Sequence, residues 1–196
     1  MPAFPRPPGP RPGWYRRLPP VLQRVAARSD RHPTLNLQPG ASLAAAVGEL
    51  ATALAGARPH AVEAVAQRIA DGVCTAFAVP RLRVRVEARR PHDQRGELHG
   101  VYEPGHRGRG DVITLWMLTA KRGQVVAWRT FLRTLLHELC HHLDYGYLQL
   151  PDSLHTQGFY QRESSLFAAL VPEAPAPRRS APVLAGTGRA SPRANG

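Results

Sequence analysis

The stretch Val125-Val126-Ala127-Trp128-Arg129-Thr130-Phe131-Leu132-Arg133-Thr134-Leu135-Leu136-His137-Glu138-Leu139-Cys140-His141-His142-Leu143-Asp144-Tyr145 decides how the rest of the chain is read. Phe131, Leu132, Leu135, Leu136, Leu139 and Leu143 recur at helical spacing, which predicts one amphipathic helix over 125–145. Gly146 follows directly, where a left-handed residue would close the helix. Inside it, His137-Glu138-Leu139-Cys140-His141 is an H-E-x-x-H run. Positions four apart share one helix face, one turn above the other. Two imidazoles so spaced can grip one divalent ion. Glu138 projects beside that ion, where it can take a proton from water, as in zinc-dependent hydrolases. Cys140 sits within the run and reads as a small buried apolar residue.

An open catalytic zinc site takes three protein ligands and leaves a fourth position for water. His155, in Leu154-His155-Thr156-Gln157-Gly158-Phe159, supplies the third. Glu163, on a following helix, is the rival for that role; otherwise it supports a ligand or pairs with Arg162. Asp144 lies seven positions after His137 and three after His141, on the metal side of the helix. It can accept a ligand histidine's second N–H, or it makes only a local hydrogen bond near the helix end. His142 points about 100° away from His141 and is not expected to be a ligand. Tyr147, Tyr160, Arg162 and His142 are candidate donors to a developing oxyanion.

Outward from this centre, Arg81-Leu82-Arg83-Val84-Arg85-Val86-Glu87 alternates charged and apolar residues. It predicts a half-buried strand with Leu82, Val84 and Val86 inward and a solvated arginine row outward. Leu98–Glu103 and Val112–Leu118 read as two more strands. Val112–Leu118 is a candidate sheet edge to which an extended peptide could add as a strand. Helices are expected over 20–27, over 42–54 with Ser42 as N-cap, over 60–76, and over 158–170. This order predicts an α+β domain, a small antiparallel three-stranded sheet packed with helices. The domain is expected over 41–170. Before it, 1–40 is Pro/Arg-rich and expected to be largely disordered; after it, 171–196 is expected to be a disordered tail.

Net charge is +12 over 196 residues. Residues 1–32 hold seven arginines and one aspartate, and 171–196 hold four arginines and one glutamate. Basic tails can dock on nucleic acid through phosphate neutralisation. Equally, 25 of the 26 basic residues are arginine, which suits compositional drift toward Arg, Ala and Pro. Two cysteines make neither a disulfide framework nor a four-thiolate zinc ribbon. No apolar run approaches membrane-spanning length and no secretory signal is visible, so a cytoplasmic location is expected.

The H-E-x-C-H helix followed by His155-Thr156-Gln157-Gly158-Phe159 resembles the SprT-like zinc metallopeptidases, in which a third histidine stands in an H-x-x-x-F segment. The resemblance covers about residues 43–170. It implies Zn²⁺ held by His137, His141 and His155, Glu138 as catalytic base, and a protein or peptide substrate. Several family members carry a Cys-rich zinc ribbon after the peptidase domain, and this chain has none. The readings set against a peptidase are a metallohydrolase of other substrates, and a nucleic-acid-associated protein with a structural or vestigial zinc site.

Overall fold

A computed structural model describes residues 13–89, 92–93, 96–97, 99–106 and 109–171. A 3-10 turn (Tyr15–Arg17) leads into α1 (Pro20–Asp30), α2 (Ala41–Ala55) and α3 (Pro59–Ala76). Then come β1 (Arg83–Arg89), the two-residue ladder β2 (His92–Asp93) and β3 (Gly96–Glu97), β4 (Gly100–Glu103) and β5 (Val112–Leu118). Helices α4 (Trp128–Gly146) and α5 (Gln157–Leu170) complete the α+β fold. No described helix is long and apolar enough to cross a membrane.

Local chemistry explains three of the helix starts. Proline opens α1 and α3, where its missing N–H costs no helical bond. Thr156 caps α5 by accepting the Phe159 N–H at 3.1 Å. Two expected caps are not made. Ser42 lies inside the first turn of α2, and Gly40 holds the N-cap position without a side-chain bond. Gly146 is the last residue of α4, not a left-handed cap; it is small because a Cβ there would meet Val79 Cγ1 at 3.2 Å.

The sheet corrects the antiparallel expectation: it is mixed, in the order β1-β5-β4. β5 lies between the others, parallel to β1 (Val84 opposite Ile113) and antiparallel to β4 (Tyr102 opposite Ile113). The chain leaves β1, crosses to the far edge as β4, and returns up the middle. Five consecutive residues of β5, Ile113 to Met117, are therefore buried, as a strand covered on both faces requires. Val112–Leu118 is consequently not an edge, and strand addition there is ruled out.

Leu82, Val84 and Val86 face the core while Arg81, Arg83 and Arg85 are exposed. The outer edge of β1 is closed by α3. Gln67 donates to Leu82 O at 2.9 Å and accepts from Val84 N–H at 2.8 Å, and Glu63 accepts from Val86 N–H at 2.9 Å. Such side-chain pairing blunts an edge that would otherwise recruit another strand. The other edge, β4, runs beside α4.

The folded part starts earlier than position 41. Residues 13–40 all lie in the segment expected to be largely disordered, yet α1 packs on α5 and buries Val25, Ala26 and Ser29. Tyr15 is buried and donates to Gln23 O at 2.7 Å. The expected tails at 1–12 and 172–196 lie outside the described residues.

Replacing Gln67 with leucine should cost about 1–3 kcal/mol, since the β1 edge loses both partners. Urea denaturation would read this as a lowered midpoint; an unchanged midpoint would show that Gln67 does not hold the edge.

Candidate metal centre

Helix α4 carries His137, Glu138 and His141 on the face turned away from its apolar stripe. His155 arrives from the segment between α4 and α5. The Nε2 atoms converge: His155 Nε2 is 2.9 Å from His137 Nε2 and 3.1 Å from His141 Nε2. Among the described residues, these three histidines are the group that could hold a metal ion, with ligand atoms within 4.8 Å of one another.

The far sides of two rings decide their tautomers. His137 Nδ1 lies 3.1 Å from Glu163 Oε2, a carboxylate that accepts. His141 Nδ1 lies 2.7 Å from Ser153 Oγ, which itself donates to Asp144 Oδ2 at 2.8 Å. Both rings therefore carry the proton on Nδ1 and turn an Nε2 lone pair inward. A single proton on His155 Nε2 can satisfy only one of the two lone pairs facing it. Burial, then the neighbouring His155 and His137 rings, push His141 down to about 3. Burial and His137 likewise lower His155. Neutral imidazoles are the form that binds a metal. Tetrahedral zinc with Zn–N near 2.0–2.1 Å would set the nitrogens about 3.3 Å apart, close to the separations seen.

Phe159 is the floor of this cluster. It is fully buried, with its centroid 4.9, 4.7 and 5.0 Å from the rings of His137, His141 and His155. Gly158 lets α5 approach α1: a Cβ would sit 2.6 Å from Ser29 O, and the Gly158 N–H donates to Asp30 Oδ1 at 2.8 Å. Thr156, next to His155, shares a 2.9 Å hydrogen bond with Ser29 Oγ.

Behind the cluster lies a buried ion pair. Arg162 Nη2 donates to Asp144 Oδ1 at 2.8 Å, and both side chains are wholly buried. Arg162 also donates to Ser29 O at 2.8 Å and His32 O at 2.7 Å. Burial pushes the Asp144 carboxyl up, against the opposing pull of Arg162 and Ser153. Asp144 thus reaches His141 through Ser153, a residue that sequence spacing alone had not singled out. Glu163 sits behind His137 on its Nδ1 side and is not among the three converging ligands.

Glu138 is only 6% exposed. Burial pushes its carboxyl up to about 7, against the pull of His137 and a backbone hydrogen bond from Tyr102. Gly100 of β4 packs on it so closely that a Cβ would lie 2.7 Å from Oε1. Glu138 therefore stands between the histidines and the outer edge of β4, where it holds the Tyr102 N–H. These groups line a cleft of about 660 Å³ together with Thr130, Arg133, Thr134, Tyr102, Pro104 and Tyr145.

Three of the four candidate oxyanion donors do not serve. Arg162 is committed to the buried pair. His142 is buried, with Nε2 2.8 Å from Pro80 O and Nδ1 2.8 Å from Asp111 Oδ2. Tyr147 is exposed and packs edge-on against Phe77, away from the cleft. Tyr160 remains: its ring stacks with His155 at 5.9 Å. The His142 contact has a positioning effect instead. Asp111 also accepts from Tyr102 Oη at 2.6 Å and from Gly105 N–H at 2.8 Å. Although burial opposes it, these bonds hold Asp111 below the usual carboxylate range. The network ties β4 and the loop after it to α4. Cys140 is buried and unpaired, as its position predicts.

Comparison of the chain with protein-family models, curated proteins and solved structures returns no match.

Ser153→Ala removes the acceptor of His141 Nδ1–H, and metal affinity should fall about 10- to 100-fold, measured by competition with a chromogenic chelator. Gly158→Ala should lower both the melting temperature and the metal affinity, because α5 must move off α1. Retention of both properties would show that this close approach does not set the position of His155.

Proposed function

We propose that the chain is a zinc-dependent metallopeptidase, akin to the SprT-like enzymes, with His137, His141 and His155 as ligands and Glu138 as general base. The observation that carries this reading is the convergence of three imidazole Nε2 atoms beside a buried carboxylate in an open cleft. Three neutral imidazoles suit zinc, and three protein ligands leave a position toward the cleft. A zinc ion there supplies Lewis acidity and lowers the pKa of water toward about 7.

The chain's own groups do the rest. Glu138 takes the proton as water attacks the scissile carbonyl and delivers it to the leaving amine. Its raised proton affinity without metal suits a proton carrier, and a nearby dication would draw that affinity down. Tyr160, beside His155, is the candidate donor to the oxyanion. β4 is the cleft-side edge of the described sheet and its Tyr102 N–H is held by Glu138, so an extended peptide can pair main chain to main chain with the outward groups of β4 that remain. A closed structural site would need a fourth protein ligand. Asp144 is engaged by Arg162 and Ser153, and Glu163 by His137, which favours the open, hydrolytic reading.

Purified protein should contain one zinc per chain by elemental analysis and should cleave an unfolded protein such as casein. Glu138→Gln should keep the zinc and lose activity by about 10²–10⁴-fold. Cleavage undiminished in Glu138→Gln, or zinc lost without any cleavage by the native chain, would count against the assignment.

A further inference from the structure

The two ends of the cleft differ in chemistry. Near one end Gly100 packs on Thr134 and Glu138. Near the other, Tyr102 stacks with His141 at 6.2 Å and with Tyr145 at 6.0 Å. β4 and α4 thus run the same way along the cleft. The Tyr102 end, with Pro104 and Tyr145, offers ring surface. The opposite end is built by Thr130, Arg133 and Thr134, on the turn of α4 before His137.

Arg133 is the one lysine or arginine among the described residues lining the cleft. Its guanidinium lies over the Phe167 ring, 4.0 Å from the centroid, which fixes its plane. Glu163 Oε1 stands 3.6 Å from Nη1, beyond hydrogen-bond reach. The other Glu163 oxygen is engaged by His137. A contact of that length on a side chain 48% exposed contributes little to stability, so pairing with Glu163 does not account for this arginine. Its N–H donors have no hydrogen-bond acceptor among the described residues. A planar fork, held from behind and open in front, matches a carboxylate by geometry as well as charge.

The position sets the register. Arg133 precedes the centre of the His137–His141 pair by about six residues, or about 9 Å along the helix. An extended peptide advances about 3.3 Å per residue. We propose that Arg133 is a specificity-determining residue that binds an acidic side chain two or three residues from the scissile bond, so that the preferred substrates are acidic peptide segments. This inference rests on the peptidase reading for its substrate class and on the cleft geometry for its residue.

Binding by the inactive but zinc-loaded Glu138→Gln chain separates the two. Fluorescent Ala/Gly-based peptides carrying one Glu, Gln or Lys would be titrated by anisotropy. The Glu peptide should bind about 10-fold tighter than the Lys peptide, the equivalent of one charge-assisted hydrogen bond. Arg133→Gln should erase the preference and Arg133→Glu should reverse it, with zinc content unchanged in both. Equal affinity for all three peptides, or a Glu preference that survives Arg133→Glu, overturns the proposal. If the preference follows Arg133 while the native chain cleaves none of these peptides, the substrate assignment stands and the hydrolytic reading falls.

Discussion

The buried pair between Arg162 and Asp144 is the constraint on which the candidate centre depends. Both side chains are fully excluded from solvent. Two charges taken out of water gain little net stability from each other, yet removing one partner costs about 3–5 kcal/mol. Such a pair is poor at adding stability and good at enforcing one arrangement. Here the arrangement joins three helices. Asp144 comes from α4, Arg162 from α5, and Ser29 in the last turn of α1 and His32 just beyond it accept three further bonds from the Arg162 Nη atoms, while Nε has no partner among the described residues. Through Ser153 the same carboxylate orients His141, and through Ser29 and Thr156 the same network fixes the segment bearing His155. Helix packing alone could slide by a fraction of a turn; this network cannot without leaving a charge unpaired.

A second constraint works on the other wall. Gln67 and Glu63 close the outer edge of β1, while β4, the other edge of the described sheet, lies along the cleft with its Tyr102 N–H held by Glu138. Asp111, gathering Tyr102, Gly105 and His142, ties that edge to α4. The sheet therefore sets one edge strand beside the proposed metal ligands and protects the edge remote from them. The proposed hydrolysis of extended peptides draws on both features, and the role proposed for Arg133 would add a chemical preference to main-chain recognition.

Much of this was legible in the chain, and for local reasons. The 3.6-residue period of α4 and the i, i+4 spacing of His137 and His141 are properties of one helix. The alternation in β1 is a property of one strand. Gly158 and Phe159 could be read as a pattern, though not for what they do, which is to admit α1 and to floor the three rings. What local patterns could not supply was long-range. Val112–Leu118 was a candidate edge of an antiparallel sheet, but β4 crosses to the far side of β5 and leaves β5 in the middle; the unbroken apolar run of β5 was the available signal of a central strand. Arg162 has no pattern that distinguishes a buried brace from an exposed donor, because its partners lie 18 and more than 100 residues away. For the same reason a helix was expected over 20–27 but not its place in the fold: the residues that α1 buries become intelligible only against α5.

The central claim is that three imidazoles close on one divalent ion. X-ray absorption spectroscopy of the zinc-loaded full chain, compared with His155→Ala, tests it most directly. The account predicts three imidazole nitrogens at about 2.0–2.1 Å with a light oxygen ligand completing the shell, and one imidazole fewer in the variant. A native spectrum with only two imidazoles, or one unchanged by loss of His155, would contradict it.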